Sequence, residues 1–488
     1  MNRTKVCLVF LVVALLATAC GTTTPTTGVP GPALPLTECQ LSRRDVNVTA
    51  RARCGTLTVP ENPADPAGRQ IALNVAVVPA ISRTPQPDPL FILVGGPGQA
   101  AVETYPAMAQ SWRRVREQRD IVLVDQRGTG QSNPLECDLP DDDDADIDTD
   151  AFIAALRACP DTLDADLRFY TTEIAMRDLD AVREALGYAT INLYGASYGT
   201  RAALTYLRLF PERVRSVVLD AVVSPDYRLY LNTAQDADRA MNLLFDRCER
   251  DDACRAAFST ARADFAALLA RLETDPLTTT LADPLTAEPI AVTLTGDIVR
   301  NLTFALLYTP EIAALLPLNV QQAVGGDFAP LLAQAGMMDA GLYMGMMYAV
   351  ACTEDAPFVN AAEAAALAEG TLFGDRTRML REICAAWPQG ELSPGWDAPV
   401  VSDAPVLLLS GEADPVTPPH YAERIAATLP NSLHVIGPGM GHGLTGRGCI
   451  DTLIFDFITD GSVADLDAAC VQQLAPPPFF LSPTGPQP

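Results

Sequence analysis

Five residues, Gly195-Ala196-Ser197-Tyr198-Gly199, constrain this chain more than any others. They follow the apolar run Ile191–Tyr194 and precede TRAALTYLRLF, whose pattern predicts a helix. Strand, Gly-x-Ser-x-Gly and helix in that order predict a sharp turn that holds a serine hydroxyl clear of a sheet edge. Side chains on either side of that serine would collide with the strand and the helix. Glycine avoids the collision and tolerates the strained backbone. Ser197 is therefore a candidate nucleophile.

Composition removes several ways of activating it. Lys5 is the only lysine, and it lies in a segment expected to be cleaved off. That excludes a Ser-Lys dyad, Schiff-base chemistry and a P-loop. Three histidines remain as bases: His420, His434 and His442. A formal charge of −26 should repel nucleic acid and anionic membrane surfaces, so no nucleic-acid partner is expected. A hydrophobic content of 48% is ample for a large buried core. Oligomeric state is not set by any of this.

The N-terminus reads as an export signal. Arg3 and Lys5 form a basic start, and Val6–Ala17 is apolar but too short to span a bilayer. Residues 1–19 are thus an expected signal peptide. Leu16–Cys20 resembles a lipobox, with Cys20 as the lipidated residue; plain cleavage after Ala19 is the alternative. Residues 20–36 would be a disordered tether rich in Thr, Pro and Gly. Membrane contact is expected only through that anchor. Ten further cysteines in an oxidising compartment predict disulfides, paired between sequence neighbours. The expected pairs are Cys39–Cys54, Cys137–Cys159, Cys248–Cys254, Cys352–Cys384 and Cys449–Cys470. No cysteine or histidine cluster has zinc spacing, so no metal is expected. The aspartate-rich stretch Asp141–Asp150 fits no EF-hand and reads as a solvated loop.

Short apolar runs at Leu90–Val94, Ile121–Val124, Ile191–Tyr194, Val214–Leu219, Val406–Leu409 and Ser432–Ile436 read as buried parallel strands. Thr56–Val59 and Ile71–Pro79 read as an N-terminal hairpin. The fold class is α/β with a mostly parallel sheet. From Ala221 to Ala404 the alternation stops and Ala- and Leu-rich helical segments take over. The expected layout is a core at 37–225, a helical cap insertion at 226–395, the core resuming at 396–475, and a Pro-rich tail at 476–488. The methionines Met337, Met338, Met344, Met346 and Met347 read as cap core, and could also wall a substrate site.

In such a sheet the acid and the histidine follow the serine along the chain. Asp414 lies in LSGEADPVTP, just past a strand end, and His442 lies in GPGMGHG after the next strand. Ser197, Asp414 and His442 should project from one edge as a catalytic triad. His434 sits within a strand and reads as structural; His420 is too near the acid to serve as base. Asp220 is the alternative acid. The oxyanion donors would be the N–H of Tyr198 and one from Gly95-Gly96-Pro97-Gly98, with Gly96 ahead of Gly95. No cofactor is needed.

VGGPGQ at Val94–Gln99, DQRGTGQS at Asp125–Ser132, GASYG, GEADPVTP and GMGHG together resemble the prolyl iminopeptidase-type serine peptidases of the α/β-hydrolase superfamily. CGTLTVPENP at Cys54–Pro63 and the paired cysteines resemble their larger secreted branch, the bacterial tripeptidyl aminopeptidases and related carboxylesterases. The resemblance covers roughly residues 50 to 470. Val94 departs from it, since the iminopeptidases usually carry histidine there. The resemblance implies an α/β-hydrolase fold with a helical cap, and cleavage of short peptides from a free N-terminus. It also implies cap carboxylates that hold the substrate ammonium; Glu354 and Asp355 are the candidates here. A carboxylesterase is the alternative activity. A non-catalytic peptide-binding lipoprotein is the third reading.

Overall fold

The structure is a computed structural model that describes residues 34–43, 48–140, 149–282, 289–336 and 341–486. The expected signal peptide, Cys20, most of the tether, most of the aspartate-rich stretch, and Met337 and Met338 lie outside the described residues.

Among the described residues eleven strands are formed: β1 (Thr37–Ser42), β2 (Thr49–Pro60), β3 (Gln70–Val78), β4 (Leu90–Leu93), β5 (Ile121–Val124), β6 (Ile191–Ala196), β7 (Val214–Asp220), β8 (Leu277–Ala282), β9 (Pro289–Leu294), β10 (Val406–Gly411) and β11 (Ser432–Gly437). Nine of them make one sheet in the order β1-β2-β3-β5-β4-β6-β7-β10-β11. The β1–β2, β2–β3 and β3–β5 pairs are antiparallel. Every pair from β5 across to β11 is parallel. In β4, β5 and β10 every residue is buried, as unbroken Val/Ile/Leu runs require when both faces are covered. One face packs on helices Thr172–Ala185 and Tyr198–Leu209. The other packs on Ala101–Met108, Arg113–Gln118 and Ile450–Asp460.

Between β7 and its neighbour β10 the chain leaves the sheet and builds a cap. The cap has its own apolar core, including Phe245, Phe265, Phe304 and Phe328. It is not wholly helical: β8 and β9 pair as an antiparallel hairpin that the Thr-rich sequence did not announce. A further cluster joins Tyr198, at the start of the helix after β6, to cap helices Met344–Glu354 and Thr377–Cys384. Met346 is fully buried there, so it is core. The tail packs on the cap: Phe479 is buried with the guanidinium of Arg247 3.9 Å from its ring centre, and the Phe480 N–H donates to the Ala314 carbonyl.

All five expected disulfides are present: Cys39–Cys54, Cys137–Cys159, Cys248–Cys254, Cys352–Cys384 and Cys449–Cys470. The first ties the antiparallel edge, where β1 pairs with β2. The fourth ties two cap helices together.

Candidate active site

The turn between β6 and the following helix holds Ser197 at φ 54°, ψ −123°, a conformation that costs free energy and persists only where its surroundings impose it. They do. The Ser197 N–H donates to the Asp220 carbonyl (2.9 Å), and its carbonyl accepts from the Thr200 N–H (2.8 Å) and hydroxyl (2.6 Å). A Cβ at Gly195 would lie 2.3 Å from the Gly199 carbonyl oxygen, and one at Gly199 2.3 Å from that of Leu93. Both flanking glycines are steric necessities.

Asp414 follows β10 and is fully buried. Its Oδ1 accepts from the N–H groups of Val416 (2.8 Å) and Thr417 (2.9 Å). Its Oδ2 accepts from the Thr417 hydroxyl (2.8 Å) and lies 2.9 Å from Nδ1 of His442. Burial alone would raise the Asp414 pKa. The His442 charge and hydrogen bond, with the two backbone N–H groups, outweigh it and hold the carboxyl below the usual range. Burial would likewise lower His442, but the Asp414 charge and hydrogen bond, with Asp220 adding, lift the imidazole above its ordinary 6.5. The imidazole also packs edge-to-face with Tyr308, the ring centroids 4.9 Å apart.

Asp220, the alternative acid, has another task. Its carboxylate accepts from Leu444 N–H (2.8 Å), Thr445 N–H (2.9 Å) and hydroxyl (2.7 Å), and the Tyr194 hydroxyl (3.1 Å). Because its own carbonyl holds Ser197, Asp220 fastens the serine turn to the loop of His442. His434 bonds the Ser410 hydroxyl (3.0 Å) from within β11, and His420 stacks on Tyr421, with centroids 4.1 Å apart. Neither meets the acid.

Tyr198 begins a helix, so its N–H lies among the first-turn amides that lack an intrahelical acceptor. Gly95 lies against the serine: a Cβ there would be 3.2 Å from that of Ser197. Its N–H, however, donates to Oε1 of Gln99 (2.9 Å), which leaves Gly96 as the donor candidate of that loop. Sequence reading did not foresee this role for Gln99, although it stands within the quoted VGGPGQ. DQRGTGQS is scaffolding. Asp125 accepts from Asn74 and from the Val102 N–H, and Arg127 is clamped by Asp178 at 2.7 and 2.9 Å.

Glu354 and Asp355 do lie together in the cap, each 2% exposed. They are not free. Glu354 accepts from the Thr172 N–H (2.6 Å) and hydroxyl (2.7 Å) and faces Arg201 at 3.6 Å. Asp355 accepts from Arg201 at 3.0 and 3.4 Å. Arg201, one turn along the helix from Ser197, was not singled out in the sequence. An arginine inside a helix carries no signal of a buried partner. Two acids share this one arginine, and burial raises the Glu354 pKa.

A serine on a strained turn, a buried Asp–His pair whose loop is tied to that turn through Asp220, and amides at a helix start are the parts that acyl transfer needs. The sequence pattern of the α/β-hydrolase fold matches residues 88–444. The chain belongs to that family. Among curated hydrolases it is 27% identical to the serine protease Hip1 of Mycobacterium tuberculosis, over 89% of this chain and 90% of that one. It is 27% identical to the tripeptidyl aminopeptidase of Streptomyces coelicolor, over 89% and 86%. It is 29% identical to carboxylesterase B of Mycobacterium tuberculosis, over 92% of both. The chain is a hydrolase of the peptidase or esterase kind.

Proposed function

We propose that this hydrolase is an exported serine aminopeptidase of the tripeptidyl or prolyl type. Ser197 attacks the carbonyl of the scissile bond. His442 takes the hydroxyl proton and passes it to the leaving amine, while Asp414 fixes the tautomer. Tyr198 N–H and Gly96 N–H stabilise the oxyanion. Water then cleaves the acyl-enzyme, with His442 as base again, and releases the short peptide. Export fits the five disulfides, since such bonds persist in oxidising compartments; residues 1–19 would direct it and Cys20 would anchor it.

The observation that carries the peptidase reading is the acid surplus beside the elbow. Glu354 and Asp355 share Arg201, with the Arg208 charge also reaching Glu354, and a substrate ammonium would be a further cation for this pair of acids. The names of the Streptomyces and Hip1 relatives point the same way. The test is a panel of tripeptidyl arylamides with free and acetylated amino ends. Free amines should be preferred by about tenfold or more, the equivalent of ~1.4 kcal/mol. Equal turnover of both forms rejects the aminopeptidase. Esterase action is the second reading, favoured by the carboxylesterase relative and by the fact that both acids already have partners.

A further inference from the structure

The cap also holds a cation that the serine chemistry does not use. Arg376 stands at the start of helix Thr377–Cys384, which is tied to helix Met344–Glu354 by Cys352–Cys384. Its Nε and Nη1 are sealed from solvent and make no hydrogen bond among the described residues. A buried guanidinium N–H without an acceptor is costly, so natural structures seldom leave one. The neighbouring acid does not relieve it. Asp375 is turned onto the Thr377 N–H (2.8 Å) and hydroxyl (2.6 Å) and faces Arg381 at 3.5 Å. What Arg376 does touch is aromatic: its guanidinium carbon lies 4.2 Å from the Phe304 ring centre and 5.5 Å from that of Tyr230.

Those rings lead to the reacting residues. Phe304 packs on Tyr308 at 5.5 Å, and Tyr308 packs on His442 at 4.9 Å. The Tyr308 hydroxyl feels the charges of both Arg376 and Asp414. Tyr230, beneath the cation, has φ 66°, a conformation that bulky residues seldom adopt without a reason. A strained aromatic residue and an unpaired cation thus stand at one end of a relay of rings, Phe304 then Tyr308, whose other end is His442.

We propose that Arg376 binds a carboxylate carried by the substrate. Planar fork geometry suits a carboxylate, and the aromatic floor keeps water from competing. This rests on Ser197 and His442 being the reacting pair. The carboxylate could be the free C-terminus of a short peptide, cut whole from its amino end, or the second acid of a diacid monoester. Either source presents the same group.

The test has two arms. Alanine peptides of three to five residues are compared as free acids and as C-terminal amides. 4-Nitrophenyl hydrogen glutarate is compared with 4-nitrophenyl pentanoate. Each pair gives a ratio of kcat/KM, acid over neutral. At least one ratio should reach about ten in the wild type, mostly through KM. Arg376→Met should bring that ratio to about one, and Arg376→Lys should restore part of it. Fluorophosphonate titration of Ser197 in each variant counts folded, competent sites. The arm that responds identifies the source of the carboxylate. Wild-type ratios near one in both arms, or a ratio that survives Arg376→Met, overturn the proposal. A peptide ratio near one beside a responsive ester arm assigns the carboxylate to a diacid monoester and leaves Arg376 in place, while the aminopeptidase reading still stands or falls on the acetylated panel.

Discussion

Asp236 offers a quantitative check on how the cap is seated. It lies in the first turn of cap helix Thr233–Arg250 and is 5% exposed. The Tyr421 hydroxyl donates to it at 2.9 Å. Burial raises its pKa from 3.8 to about 7, with the Asp414 charge adding; the Tyr421 hydrogen bond and the charges of Arg239 and Arg424 only partly oppose this. The folded protein therefore holds this proton more tightly than the unfolded chain does. The sign follows: the stabilisation is complete below pH ~4 and is lost as pH rises through ~7. A shift of about three units at ~1.4 kcal/mol each is worth ~4 kcal/mol across that window. Asp236→Asn keeps an acceptor for Tyr421 and cannot titrate. Urea unfolding from pH 4.5 to 8.5 should show the variant gaining on the wild type by up to ~4 kcal/mol, with most of the gain before pH 7.5. Stability curves that stay parallel over this range would refute the argument, because Asp236 would then titrate alike in both states.

Two further predictions concern the reacting residues. His442→Ala should cost nearly as much turnover as Ser197→Ala, with the double variant little worse, because the pair acts as a unit; His434→Ala and His420→Ala should keep most activity, and the wild-type acid limb of kcat/KM should lie above pH 6.5, where Asp414 holds the imidazole. A dead His434→Ala, or an acid limb below 6.5, contradicts the assignment. Thr417→Val removes the hydroxyl that donates to Asp414 Oδ2 and should lower kcat/KM about tenfold to a hundredfold, as expected for losing one hydrogen bond to a buried charge. Unchanged kinetics would mean that the two backbone N–H groups orient Asp414 unaided.

Much of the site was legible because its signals are local. A glycine pair around a serine, a glycine-rich loop and an Asp-Pro turn each announce a backbone shape within a few residues. Chain order pointed to the Asp414–His442 pair, since strand ends in a parallel sheet share an edge. The cysteines paired with sequence neighbours, which needs no knowledge of tertiary structure. What stayed hidden depends on contacts between distant segments. β1 is a short, polar edge strand that exists because it pairs with β2. The β8–β9 hairpin is a threonine-rich stretch inside a helical region. The Arg201 clamp on Glu354 and Asp355 joins residues 153 and 154 positions apart, so the two acids read as an open anchor when only their own segment was in view. The use of the Gly95 N–H by Gln99 is a side-chain choice that no spacing reveals. Arg376 and its aromatic floor come from three separate cap segments with no shared pattern.

The hold of the cap on the histidine loop reaches further than packing. The His442 N–H donates to the Tyr308 carbonyl at 2.8 Å, and a Cβ at Gly441 would sit 2.2 Å from that same oxygen. Tyr308 belongs to the cap; His442 belongs to the core. One peptide unit of the cap thus helps to hold the loop that carries the proposed base. If the lid lifts there, the histidine loop loses a backbone acceptor and a ring contact in the same movement. Proton transfer by His442, as proposed, would then depend on a seated cap: the loop that carries the base is shaped by a backbone carbonyl from another layer of the fold.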